Sequence, residues 1–191
     1  IDNVKFQNMA YASCTIESCF DTTLTNVYFE RPVDQSGNPN INYGLYITGA
    51  TTNLTWTGGW CNRCRHSVTT NTNSGAVSRA GRRRNIVINN VISYNANTAG
   101  FDTHEGDVGV VFNGCGVLAG HHGGGTNDSQ GFNCRSPSFI NSCWVEGATV
   151  DAMVLFNGND SVASGLITGG ERMLITNCRI GNTLMGDAGT V

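Results

Sequence analysis

The sequence predicts an all-β protein built as a single-stranded, right-handed parallel β-helix, in which short strands stack coil upon coil. Two recurring segment shapes and a skewed composition lead to that prediction. The first shape is a small residue, an apolar residue, then polar and small residues in alternation. It appears as Asn42-Tyr43-Gly44-Leu45-Tyr46-Ile47-Thr48, Thr98-Ala99-Gly100-Phe101-Asp102-Thr103-His104-Glu105, Ser129-Gln130-Gly131-Phe132-Asn133-Cys134-Arg135 and Val150-Asp151-Ala152-Met153-Val154-Leu155-Phe156. The second shape is apolar, any, apolar, any, then Asn or Gly. It runs through Val4–Met9, Leu54–Gly59, Ile86–Val91, Val110–Cys115 and Met173–Cys178. Charged residues make up only 13% of the chain, with Gly at 25 and Pro at 3, against roughly a quarter charged in an average domain. Gly and the abundant Asn tolerate the left-handed backbone that tight corners between short strands require.

Taken in order, the segments alternate the two shapes. Val4–Met9 reads as a rung, and 42–48 as the first shape, with Leu54–Gly59 following it. Arg65-His66-Ser67-Val68-Thr69 precedes the next rung, Ile86–Val91. The segments at 98–105, Val110–Cys115, 129–135, 150–156 and Met173–Cys178 continue the pattern. The step from Leu54 to Ile86 is longer than that from Ile86 to Val110. A variable period of this kind fits a solenoid with insertions between rungs, not a propeller or an ankyrin array. Side chains on an extended strand alternate faces. Phe101, Phe132, Ile86, Ile88, Phe112 and Ile175 are therefore expected inward, and Asp102, His104, Asn133 and Arg135 outward on a solvent-facing patch.

The 191 residues form one elongated domain, 1–191, with no linker to divide it. Its first residues already look like a rung. Terminal rungs expose unpaired edges, so the chain reads as a segment of a longer protein. No signal peptide or membrane span is recognisable. The net charge of −3 argues against nucleic acid as the main partner. The basic run Arg79-Ala80-Gly81-Arg82-Arg83-Arg84 reads either as a solvated corner or as a contact for an acidic glycan.

Three of the eight cysteines, Cys115, Cys143 and Cys178, follow similar corners, in Asn-Gly-Cys, Asn-Ser-Cys and Thr-Asn-Cys contexts. That repetition predicts stacked, buried free thiols behaving as small apolar side chains, and synthesis in a reducing cytoplasm. The CxxC pair Cys61 and Cys64 lacks the second ligand pair of a structural zinc site, so no metal and no cofactor is expected.

Chemistry concentrates at Asp102 and His104. An i, i+2 pair sets a carboxylate beside an imidazole, a combination suited to proton transfer near neutral pH. A plain hydrogen-bonded surface pair is the alternative. Glu105 and Asp107 supply further carboxylates, which would permit glycoside hydrolysis, although Asp107 fits an ordinary turn. Arg135, one coil on, is expected to hold a carboxylate or a developing enolate charge. Arg65, His66, Thr69 and Asn133 border the same groove. His121 and His122 lie in a glycine-rich insertion beside it, and Tyr46, with Tyr43, Trp56 and Trp60, is a candidate for stacking on sugar, although the inward rung position of Trp56 favours the core.

The stretch from Arg84-Asn85-Ile86-Val87-Ile88 through Gly100-Phe101-Asp102-Thr103-His104-Glu105 resembles the mannuronan C5-epimerases, with Ala99 where their active-site strand has Tyr and Thr103 where it has Pro. Cys64–Thr69, Phe101–Gly106 and Gly131–Arg135 together resemble the pectate-lyase-like β-helices of bacteriophage tailspikes and tail-associated depolymerases, across residues 40 to 180. That resemblance implies a homotrimer on the virion tail, acting outside the cell on a bacterial capsular or lipopolysaccharide glycan. The candidate catalytic residues of a lyase or glycoside hydrolase are Asp102, His104, Arg135 and Glu105, and the resemblance to the epimerase strand implies catalytic roles for its Asp and His. A uronan epimerase and a non-catalytic adhesive β-helix are the rival readings.

Overall fold

A computed structural model of the chain describes residues 1–9, 11–31, 43–71, 83–104, 106–118, 130–148, 152–155 and 173–181. Their strands lie in two sheets, one of ten strands and one of six. Every pairing between these strands is parallel, which makes the fold a parallel β-solenoid. The first segment shape supplies Tyr43–Thr48, Ala99–Thr103, Gln130–Cys134 and Met153–Leu155 of the six-stranded sheet, and Ala12–Glu17 and His66–Asn71, which that shape does not mark, complete it. The second builds the ten-stranded sheet. Its long members Phe20–Glu30, Thr52–Asn62 and Arg84–Tyr94 each contain a corner, and in later coils the same path divides into pairs such as Val108–Asn113 and Gly116–Leu118.

The corners explain the asparagines. Asn3, Asn26, Gly58, Asn90, Gly114, Ser142 and Asn177 hold equivalent places in successive coils, and all have positive φ, from 49° to 72°. A β-branched or bulky residue is strained there, whereas Asn and Gly are not. Asn side chains also tie coils together. Asn85 Nδ2 donates to Asn53 Oδ1 at 3.0 Å, Asn53 Nδ2 to Asp21 Oδ1 at 2.9 Å, and Asn113 Nδ2 to Asn89 Oδ1 at 3.0 Å.

Inside, the column Leu24, Trp56, Ile88, Phe112 and Ile140 runs in register along the ten-stranded sheet and is fully buried. Leu45, Val68, Phe101 and Phe132 form the column in register on the six-stranded sheet. Phe101 and Phe132 stack with ring centroids 4.9 Å apart, and Phe112 packs against both, at 5.3 and 5.5 Å. Trp56 belongs to this core, as its inward rung position predicts. Each such ring contributes roughly 1.5–3 kcal/mol by leaving water. The small residue before each apolar one also has a physical reason: a Cβ on Gly100 would lie 2.7 Å from Val117 Cγ2 and 3.0 Å from the Gly131 carbonyl oxygen. Ile175 departs from expectation. It is in register with Ile140, yet it is 37% exposed because it lies in the last described coil.

The cysteine column stands where the repeated contexts put it. Cys115 and Cys143 are buried, and Cys115, Cys143 and Cys178 each direct Sγ at a carbonyl of the preceding coil, Ile88, Phe112 and Ile140 respectively. All eight thiols are unpaired. Cys61 Sγ faces the Ser67 carbonyl and Cys64 Sγ the Asn62 carbonyl, so both sulfurs of the CxxC are directed at backbone. Burial pushes the Cys134 thiol up to about 12, where it stays protonated.

Candidate functional site

Asp102 sits in the middle of the six-stranded sheet, with Thr69 as its register partner in the preceding coil and Asn133 in the following one. Thr69 Oγ1 donates to Asp102 Oδ2 at 2.9 Å, and Asn133 Nδ2 donates to Oδ1 at 3.0 Å. His104 Nε2 lies 2.9 Å from Oδ2, and Arg135 Nη2 lies 3.5 Å from Oδ1. Four donors thus cover the carboxylate, and Asp102 is 0% exposed. This corrects the expectation of a solvent-facing Asp102, and of a solvent-facing Asn133, which is 4% exposed. The strand does turn Asp102 away from the aromatic column, but side chains of the adjacent coils close over it. The atoms that meet solvent belong to His104 and Arg135, whose side chains are 20% and 27% exposed.

Burial favours the neutral form of Asp102. The hydrogen bond from His104, the Arg135 guanidinium and, in acid, the protonated imidazoles of His66 and His104 outweigh it, so the carboxyl lies below its ordinary value and is ionised at neutral pH. His66 Nε2 is 4.0 Å from Asp102 Oδ2, too far for a hydrogen bond. Burial pushes the His66 imidazole down to about 4 against the pull of Asp102, so His66 is neutral near pH 7. With Asp102 ionised, the proton of a neutral His104 rests on Nε2 and is donated to Asp102. The lone pair is then on Nδ1, which faces Arg135 Nη1 at 3.3 Å.

A second polar network underlies the first and was not anticipated from the sequence. Arg83 and Asp107 form an ion pair in which both are almost wholly buried, and Thr70 Oγ1 donates to the same carboxylate. The Thr70 hydroxyl in turn accepts the backbone N–H of His104 at 2.7 Å. Asp107 is therefore not an ordinary turn residue. It anchors the chain that carries His104. Burial raises its carboxyl above the usual value, opposed by the charge and hydrogen bonds of Arg83 and Thr70.

The other predicted residues lie along the same sheet. Tyr43 stacks on His66 with rings 5.7 Å apart and 8° from parallel, and Arg65 Nη1 donates to the Tyr43 hydroxyl at 2.7 Å. Tyr46 is the register partner of Thr69. Tyr43 and Tyr46 are buried, which corrects their reading as open stacking faces. The exposed ring beside them is Tyr11, 52% accessible, edge-on to Tyr43 and Tyr46 at 5.7 and 6.1 Å. Neither segment shape marks Tyr11, and no local pattern singles it out. Trp60 is on the other sheet, between Tyr28 and Tyr94. Glu105, His121, His122 and the basic-run residues before Arg83 lie outside the described residues. Among the described residues no group of three or more His, Cys, Asp or Glu side chains is arranged to hold a metal ion.

Fold and site together define a parallel β-solenoid with an Asp–His–Arg cluster on the outer face of one sheet. A scan against protein-family models finds none that matches this chain, and searches of curated proteins and of solved structures find no match either.

Proposed function

We propose that this chain is a polysaccharide-acting β-helix module of the tailspike kind, in which His104 transfers the proton, Asp102 orients the imidazole and holds the proton on Nε2, and Arg135 binds the acid group of a sugar. The supporting observation is the convergence of Asp102, His104 and Arg135 from two coils on one spot, with the imidazole and guanidinium reaching solvent. Three groups that meet this way satisfy the geometric requirement for a base, its orienting partner and a charge stabiliser. Tyr11, at the far end of the same sheet, offers a ring for a neighbouring sugar.

Elimination fits this set better than hydrolysis. A two-carboxylate hydrolase needs both acids at the substrate, and among the described residues of this coil Asp102 is covered and Asp107 is paired with Arg83 beneath the surface. In an elimination, His104 takes the proton from the carbon bearing the uronate carboxylate. The electron pair becomes a carbon–carbon double bond, and the glycosidic oxygen leaves and is protonated from water. Arg135 stabilises the charge that develops on the carboxylate. A homotrimer on a phage tail, acting on a bacterial capsule or lipopolysaccharide, is the biological setting that the tailspike resemblance suggests.

One observation favours the adhesive reading instead: both His104 nitrogens already have partners. The deciding experiment incubates the protein with a panel of acidic capsular polysaccharides and follows ultraviolet absorbance together with reducing ends. A lyase raises both, a hydrolase only the second, and an adhesin neither.

A further inference from the structure

We infer that Arg135 is a latch on His104, released by a ligand carboxylate, so that this site selects an anionic sugar and its imidazole becomes available only when that anion is seated. The inference rests on the reading of His104 as the proton-accepting group and adds the step that frees it. In the resting arrangement Nε2–H is committed to Asp102 Oδ2 at 2.9 Å and Nδ1 to Arg135 Nη1 at 3.3 Å. An imidazole whose lone pair is occupied accepts no substrate proton. Asp102 does not need Arg135 to remain solvated, because Thr69, Asn133 and His104 each donate to it at 2.9–3.0 Å.

Arg135 itself is weakly held. Its contact with Asp102 is 3.5 Å long, its contact with the His104 ring nitrogen is 3.3 Å long, and its Nε is buried without a hydrogen-bond partner. A guanidinium binds a carboxylate through two parallel charge-assisted hydrogen bonds, each roughly twice as strong as a neutral one. A carboxylate arriving at the exposed edge of Arg135 therefore outcompetes Nδ1. The neighbouring cations are engaged elsewhere: Arg65 donates to the Tyr43 hydroxyl and Arg83 is sealed with Asp107.

The experiment follows the ring nitrogens of His104 by 15N NMR in the full chain, with His104→Gln to assign them. Sodium glucuronate is titrated against glucose, which lacks the charge, and sodium chloride, which lacks the bidentate geometry. Glucuronate is expected to move Nδ1 downfield, toward an unbonded lone pair, while glucose and chloride leave it in place. In Arg135→Gln, and in Arg135→Lys should the first variant fold poorly, Nδ1 is expected downfield from the start and unresponsive to glucuronate. An unmoved Nδ1 with glucuronate overturns the latch, as does an equal response to chloride, or an Nδ1 position in the variants identical to wild type. Failure of the lyase reading looks different, because the glucuronate response then persists while no polysaccharide gains ultraviolet absorbance.

Discussion

Asp102 and Asp107 are two carboxylates of one coil, both removed from solvent, and their surroundings differ in kind. Asp107 meets Arg83 and Thr70, both as buried as itself, and none of the three leaves a buried polar side-chain atom without a partner. Asp102 meets His104 and Arg135, both part-exposed, and the cluster holds unpartnered atoms at Asn133 Oδ1 and Arg135 Nε. A saturated, sealed ion pair has one arrangement, and its role is to fix the backbone. An under-satisfied cluster at the surface has groups ready for something that arrives from solution. The two are coupled through Thr70, which joins the Asp107 carboxylate to the backbone of His104, so the sealed pair holds the open one in position.

The largest effect expected is on the sealed pair. Asp107→Ala removes the carboxylate that faces the buried Arg83 guanidinium, at a cost of about 3–5 kcal/mol, measurable as a lowered midpoint in urea unfolding. Replacing both partners, Arg83→Met with Asp107→Leu, is expected to recover most of that loss, since a matched apolar pair removes the buried charge. A single variant as stable as wild type would show that Arg83 finds another way to be solvated and would erase the distinction between the two carboxylates.

Acid should separate the same two regions. The folded His66 titrates at about 4, below the ordinary value near 6.5. Between those values the unfolded chain binds a proton that the folded chain does not. Stability is therefore complete above pH ~6.5 and declines as pH falls toward 4, by about 3 kcal/mol from this group. Asp102, also depressed, acts in the same direction as pH falls through its folded value. Asp107, which is raised, acts oppositely, because its folded form takes up a proton before its unfolded form does. His66→Phe retains the stacking surface for Tyr43 and removes the titration. Its loss of stability between pH ~6.5 and ~4 should be smaller than that of wild type, and a slope equal to wild type would transfer the effect to other groups.

Much of the fold was legible because a solenoid writes its periodicity locally. The alternation of Gly100-Phe101 and Gly131-Phe132, and the Asn and Gly corners, state which side chain goes in and where the chain turns. The pairing of Asp102 with His104 was legible for the same reason, and Arg135 followed from one more coil. Burial of Asp102 was not legible. Its cover comes from Thr69 and Asn133, 33 and 31 positions away, and nothing in the local pattern sets which residues of neighbouring coils fall in register. The Arg83–Asp107 pair was hidden likewise, across 24 positions, with each partner disguised by an ordinary context, a basic run and a Gly-flanked turn.

Within the open cluster, His104 should matter to chemistry more than to folding. His104→Ala is expected to reduce turnover of an acidic polysaccharide by about 10²-fold or more, about 2.7 kcal/mol of barrier, while unfolding shifts by less than about 1 kcal/mol. Asp102→Asn should match that loss in turnover and also cost stability, since an amide cannot serve all four donors as the carboxylate does. Equal and large stability losses for both variants would make the cluster a second structural pair.

The smallest effect sharpens the boundary between holding a group and using it. Thr69→Val keeps shape and burial but removes the hydrogen bond to Asp102 Oδ2. A hydrogen bond to a charged group contributes about 1.5–3 kcal/mol, and three donors remain on this carboxylate, so the loss in stability should be near the lower end, about 1.5 kcal/mol. The Asp102 carboxyl should move up toward its ordinary value, seen by 13C titration of its side chain, because one of the contacts that favour the charged form is gone. It remains ionised at pH 7 and still fixes the proton on His104 Nε2, so turnover should fall only a few-fold. A loss in turnover as large as that of His104→Ala would mean that Thr69 touches the substrate, and the open region would then extend a full coil below Asp102. An unmoved Asp102 titration would mean that His104 and Arg135 alone hold the carboxylate down, and that the preceding coil covers the charge without stabilising it.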